Sequence, residues 1–139
     1  MERDKPNCKR KEKAPMKVLV LVKTTPEVEA GARRPVDEQA AMAAMDAYND
    51  ELVEAGVRLA VGGLHASSKG ARINFTGSFN NHNASVIDGP FTETKELVAG
   101  FWIWQVRSME EAIAWAKRCP FPDGSASALE LRPIHEGDN

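Results

Sequence analysis

The period of apolar and polar positions changes several times along the chain, and each change predicts an element. Met16-Lys17-Val18-Leu19-Val20-Leu21-Val22 is a nearly continuous run rich in β-branched residues, the pattern of a central strand buried on both faces. Thr24-Thr25-Pro26 ends it, and Glu27 to Val36, with Gly31, two arginines and Pro35, has no clear period and reads as loop. Asp37 then stands as an N-cap. From Glu38 to Ala55 the residues Ala41, Met45, Tyr48, Leu52 and Ala55 recur at helical spacing, and Gly56 follows where a left-handed residue closes a helix. Val57 to Val61 reads as a short strand interrupted by Gly62-Gly63.

Ala71, Ile73 and Phe75 alternate with Arg72, Asn74 and Thr76, which predicts a strand with one apolar face. Ser85-Val86-Ile87 can pair with it across a long, asparagine-rich connection from Gly77 to Asn83, in which Phe79 and His82 are candidates for an unusual contact. Leu97 to Val106 is the most apolar run. Phe101, Ile103 and Gln105 fall on one face of it, and Trp102, Trp104 and Val106 on the other, so both faces need cover. Ser108-Met109-Glu110-Glu111 is a capping box, opening a helix whose apolar stripe is Ala112, Ile113, Ala116 and Cys119. After Pro120, Pro122 and Gly124, Ser127 to Ile134 returns as a last strand with Leu129 and Leu131 on one face.

This order predicts an α+β fold, a ferredoxin-like antiparallel sheet with two helices on one face. Two helices leave the second face of the sheet bare, and an apolar face of that size predicts a homodimer.

Composition narrows the classes. With 139 residues, 42% of them hydrophobic, and a formal net charge of -2, the chain is one ordered domain with no overall basic field, so nucleic acid is not an expected partner. Cys8 and Cys119 form no C-x-x-C pair, which argues against structural zinc and for a reducing, cytoplasmic setting. No run approaches the ~20 apolar residues of a membrane span, so no membrane partner is expected. Residues 1–15 hold six lysines and arginines and almost nothing to bury. They read as a mobile basic tail, with Met16 as an alternative start. The domain is expected over 16–136, with 137–139 as a short C-terminal tail.

The stretch Asp88-Gly89-Pro90-Phe91-Thr92-Glu93-Thr94-Lys95-Glu96 concentrates charge between two apolar runs and reads as a loop joining two buried strands, the kind of position where ligands are handled. Together with Gly100-Phe101, the capped helix and Glu130-Leu131-Arg132-Pro133, it resembles the DGPF branch of the YCII-related domain family. The resemblance runs from Met16 to about Glu136. It implies a dimeric α+β barrel, sheet against sheet, more firmly than any activity.

Several YCII-related proteins look like lyases or dehydrochlorinases built around a histidine and an aspartate; others look like accessory partners of transcription factors of the sigma class. The first resemblance puts forward Asp88 as a catalytic residue, but the branch's histidine has no obvious counterpart here; His65, after Gly62-Gly63-Leu64, is the nearest offer, and its pairing with Asp88 is read from position rather than from the resemblance. For Asp88 two readings stand: an acid/base group at a strand end, or the side-chain cap of the Gly89-Pro90 turn. Thr92, Glu93, Thr94 and Lys95, with Arg72 nearby, form a candidate ligand-binding set, since hydroxyls, a point charge and free loop amides suit an oxyanion or carboxylate. There is no P-loop, dinucleotide fingerprint, G-x-S-x-G or H-E-x-x-H, so no cofactor or metal is expected. The functional expectation is a small-molecule-binding or acid/base enzyme domain with its ligand between the sheet and loop 88–96. The alternative is a non-catalytic regulatory or interaction module.

Overall fold

Val18 and Val20 are fully buried because the strand that carries them runs through the middle of a four-stranded sheet. The computed structural model describes residues 14–31, 37–91, 94–121 and 128–136. Its elements are β1 (Met16–Thr24), α1 (Pro26–Glu29), α2 (Glu38–Glu54), β2 (Arg58–Gly63), β3 (Ala71–Ser78), β4 (Asn81–Asp88), β5 (Leu97–Val106), α3 (Met109–Lys117) and β6 (Ala128–Pro133), with a 3-10 turn at Ser67–Lys69. The sheet order is β2-β5-β1-β6, every neighbouring pair antiparallel, which is the ferredoxin-like arrangement. β3 and β4 form a separate two-stranded ribbon.

The caps are those the sequence announces. Asp37 Oδ1 accepts from the Ala40 amide at 3.1 Å, and Gly56 closes α2 at φ +72°. Ser108 Oγ accepts from the Glu111 amide, while Glu111 reaches back to the amide of Arg107 rather than to that of Ser108. α2 and α3 lie on the tryptophan face of the sheet: Tyr48, Leu52 and Ala112 pack on Val18, Val20, Trp102, Trp104 and Val106. Burial of Leu52 and Trp104 at 0% exposure makes them the residues whose truncation would cost most, ~3–5 kcal/mol each. Leu129 and Leu131 join this core from β6.

By alternation Leu19, Leu21, Phe101 and Ile103 lie on the other face, and all four are half-buried. Gly62 is paired with Phe101, and a Cβ there would stand 2.7 Å from Phe101 Cε1, so the ring lies over the glycine.

Several expectations are corrected. The segment after Thr25 is not all loop, because the Thr25 hydroxyl caps α1 by accepting from the Val28 amide at 3.2 Å, and Pro26 suits the first helical turn. β2 continues through Gly62 and Gly63, and its irregularity falls between Arg58 and Ala60. The loop at 88 joins one buried strand, not two, since every residue of β3 and β4 is exposed. Finally, those strands pair out to Ser78 and Asn81, leaving Phe79-Asn80 as the connection in place of a seven-residue loop. On α3, Ile113 is 44% exposed and Trp115 packs on the core instead. The basic tail through Lys13 and residues 137–139 lie outside the described residues.

Candidate functional site

At one end of the sheet β1 and β2 finish and β5 begins: Leu97 is paired with Thr24, and Gly100 with Gly63. The chain leaves β2 through Leu64, whose amide donates to the Ala99 carbonyl at 2.8 Å, and enters the ribbon at Ala71. It returns at Asp88, and the Gly89 amide donates to the Gly70 carbonyl at 3.0 Å. The base of the ribbon, the 3-10 turn and the loop after β4 therefore share one small region.

Two residues with no role in the sequence reading fasten it. Glu29 Oε1 accepts from the Ser67 hydroxyl at 2.7 Å, and Glu29 Oε2 accepts from the Ser67 amide at 3.0 Å. The Ser67 hydroxyl oxygen in turn accepts from the Phe91 amide at 3.3 Å. Gly89 is pressed on the same turn, where a Cβ would stand 1.7 Å from the Ser67 carbonyl oxygen. Phe91 is buried at 8% exposure, so the first half of the loop is anchored rather than free.

On this anchor sits Arg72. Its guanidinium carbon lies 4.0 Å from the centroid of the Phe91 ring, and its Nη2 donates to Thr94 Oγ1 at 3.2 Å. Stacking of this kind at an exposed site contributes ~0.5–1 kcal/mol and fixes the plane of the cation. Among the described residues no carboxylate is paired with it.

The second half of the loop reaches the uncovered sheet face. Lys23 Nζ lies 3.8 Å from Glu96 Oε1 and 3.4 Å from Glu130 Oε1, and Arg132 Nη1 lies 3.1 Å from Glu130 Oε2. Hydrogen bonds from Arg132 and then Lys23 hold the Glu130 carboxyl below its ordinary value.

Of the candidate residues, the fold brings Arg72 and Thr94 into contact. Lys95 is exposed beside them in sequence, and Thr92 and Glu93 lie outside the described residues. Asp88 is exposed, paired with Ala71 at the ribbon base, and by alternation its register position is on the face opposite Arg72. His65 is exposed on the segment leading to Ser67, which touches Gly89, and no described hydrogen bond joins His65 to Asp88. Glu29 and Ser67 were missed because their contact spans 38 residues. The Thr25-Pro26 cap was the only local hint that Glu29 stands on a helix.

Among the described residues, clefts also open elsewhere. One of about 350 Å³ is lined by the end of α2 and by Gln105, Arg107 and Glu111; one of about 400 Å³ lies between α3 and β6. Among the described residues no group of three histidine, cysteine or acidic side chains converges to hold a metal, and no helix is long and apolar enough to cross a membrane.

The fold and its anchored charged loop define a ferredoxin-like α+β domain with a pre-oriented arginine at one end of its sheet. The chain belongs to the YCII-related domain family, whose pattern matches residues 16–136. An uncharacterised protein of Rhizobium meliloti (strain 1021) is 29% identical over 98 residues, covering 70% of this chain and 76% of that one.

Proposed function

We propose that the chain is a small-molecule-binding domain, working as a homodimer through the uncovered sheet face, whose ligand presents a carboxylate or comparable oxyanion to Arg72. The observation that carries this reading is the cation itself. Arg72 is held by the Phe91 ring and the Thr94 hydroxyl, yet no described carboxylate neutralises it. A guanidinium fixed in this way loses little freedom when an anion docks on its remaining donors. Asp88 and His65 are the acid/base candidates, on two segments that meet at Gly89 and Ser67, and lyase-type proton transfer is the chemistry such a pair would perform.

The test is calorimetric titration with a panel of small carboxylates and phenolates. Arg72→Gln should weaken the best ligand about ten-fold or more, while Asp88→Asn should retain binding and lose any turnover. Binding that is indifferent to Arg72→Gln rejects the site. The second reading, an interaction module, is favoured by the exposed apolar side chains of the β3–β4 ribbon; it predicts no ligand in the panel and a protein partner that protects the ribbon.

A further inference from the structure

The β3–β4 ribbon has two unlike faces. Register sets Arg72, Asn74 and Thr76 opposite Ile87, Ser85 and Asn83, and directly opposed residues of an antiparallel pair share a face. Beyond the cation this face therefore carries two amides and two hydroxyls, all of them exposed. Among the described residues the side chains of Asn74, Thr76, Asn83 and Ser85 make no hydrogen bond to the protein, so each keeps both a donor and an acceptor. At the base of the same face Arg72 is held by the Phe91 ring and the Thr94 hydroxyl.

The residues chosen are not those of a face built only to meet water. Exposed strands are commonly kept apart from other chains by lysines and other charges, and 27% of this chain is charged. Yet Arg72 and Asp88 are the only lysine, arginine, aspartate or glutamate in the two strands, and both sit at the ribbon base. Short amides and hydroxyls also lose less rotamer freedom on binding than lysine or glutamate. The four groups stand ~5 Å apart across the strands and ~7 Å apart along them, close to the span between hydroxyls on a six-membered sugar ring. Arg72 lies one further step toward the base, opposite Ile87, which is 43% exposed and offers an apolar contact for a C–H face.

We infer that the ligand of Arg72 is a polyhydroxylated acid, with one anionic group on the guanidinium and its hydroxyls laid along Asn74, Thr76, Asn83 and Ser85. The inference rests on the oxyanion site of the preceding reading and names the class of molecule that site takes. The strip supplies what the arginine lacks. A guanidinium only donates, and at an anion it treats a hydroxylated acid and a plain one alike. Amides and hydroxyls both donate and accept, and so pair with ligand hydroxyls that do the same. An acid of the same shape without hydroxyls meets the arginine alone. Each exposed hydrogen bond is of modest worth, and several together separate the two acids by about ten-fold.

The test is calorimetric titration of the full chain with glucuronate and galacturonate, with cyclohexanecarboxylate, which keeps ring and carboxylate without the hydroxyls, and with glucose 6-phosphate. The better uronate or the sugar phosphate should bind about ten-fold or more tighter than cyclohexanecarboxylate, and whichever of the two binds tighter identifies the anion as carboxylate or phosphate. Asn74→Val and Asn83→Val place better strand formers at exposed positions and so keep the fold, which far-UV circular dichroism confirms. Each should weaken the hydroxylated acid about five-fold and leave cyclohexanecarboxylate unchanged, while Val86→Thr on the opposite face should change neither. Equal binding of the hydroxylated and plain acids, both weakened by Arg72→Gln, rejects the hydroxyl strip and leaves the oxyanion site standing. Absence of binding by every acid rejects this inference together with that reading. A loss in Val86→Thr as large as that in Asn74→Val puts the contact off the polar face and also overturns the inference.

Discussion

Glu29 grips Ser67 at two atoms, accepting from its hydroxyl at 2.7 Å and from its amide at 3.0 Å, and so fastens α1 to the turn on which the Phe91 loop rests. Glu29→Ala leaves both donors without that acceptor in a part-buried place, and should cost ~1–3 kcal/mol. Glu29→Gln, which keeps one acceptor oxygen, should cost less. Thermal unfolding gives the order, and faster hydrogen exchange at the Phe91 amide would place the loosening in the loop.

Gly89 stands where no side chain fits, because the atom that a Cβ would meet at 1.7 Å is the Ser67 backbone carbonyl oxygen, which cannot swing aside as a long side chain could. Gly89→Ala should destabilise by ~1–3 kcal/mol and weaken any ligand that Arg72 holds. The control is Gly63→Ala, where a Cβ would meet nothing within 4 Å and the change should be small. Equal melting temperatures for the two variants would contradict the packing argument.

Trp102 and Trp104 differ in their indole N–H groups. Trp102 Nε1 donates to Asn49 Oδ1 at 2.8 Å, whereas Trp104 Nε1 is buried with no hydrogen-bond partner among the described residues. A double-mutant cycle of Trp102→Phe with Asn49→Ala should give a coupling of ~1 kcal/mol, and the same cycle with Trp104→Phe should give a value near zero. Urea unfolding monitored by circular dichroism measures both.

Burial pushes the Cys119 thiol up to about 12. A pKa raised by folding favours the protonated form, so its contribution is complete below the unfolded thiol's value near 9 and is lost as pH rises toward 12. The phenol of Tyr48, which donates to the Trp115 carbonyl at 2.7 Å, is also pushed up, first by burial and then by Cys119, and acts in the same direction. Melting temperature should therefore decline across pH 9 to 12, less steeply in Cys119→Ser. In a Cys8→Ser background the native thiol should resist alkylation at pH 8 and react on unfolding.

Much of the fold was legible. Val18, Val20 and the tryptophans stood out as a strand core, Tyr48 and Leu52 as a helix face, and Asp37, Gly56 and Ser108 as caps, because each signal is local and repeats with the period of its element. The ribbon was half legible. The alternation of Ile73 and Phe75 marked a strand with one apolar face, but the same pattern describes a strand inside the main sheet and a strand that leaves it. The candidate site divided likewise. Arg72 and Thr94 could be nominated by residue type, while their meeting over Phe91 required the ribbon to fold back on the loop.

By itself the sequence determined the elements, their caps and the two-faced character of β5, since these follow from side-chain periods of two and 3.6 and from residues one turn apart. The tertiary structure alone decided that the helices take the Trp102 and Trp104 face, leaving Phe101 over Gly62, and that Glu29 finds Ser67. It also set Asp88 and Arg72 at register positions on opposite faces of one ribbon. The physical reason is range. A period is written in neighbouring residues, whereas a packing partner is chosen by everything else that competes for the same surface.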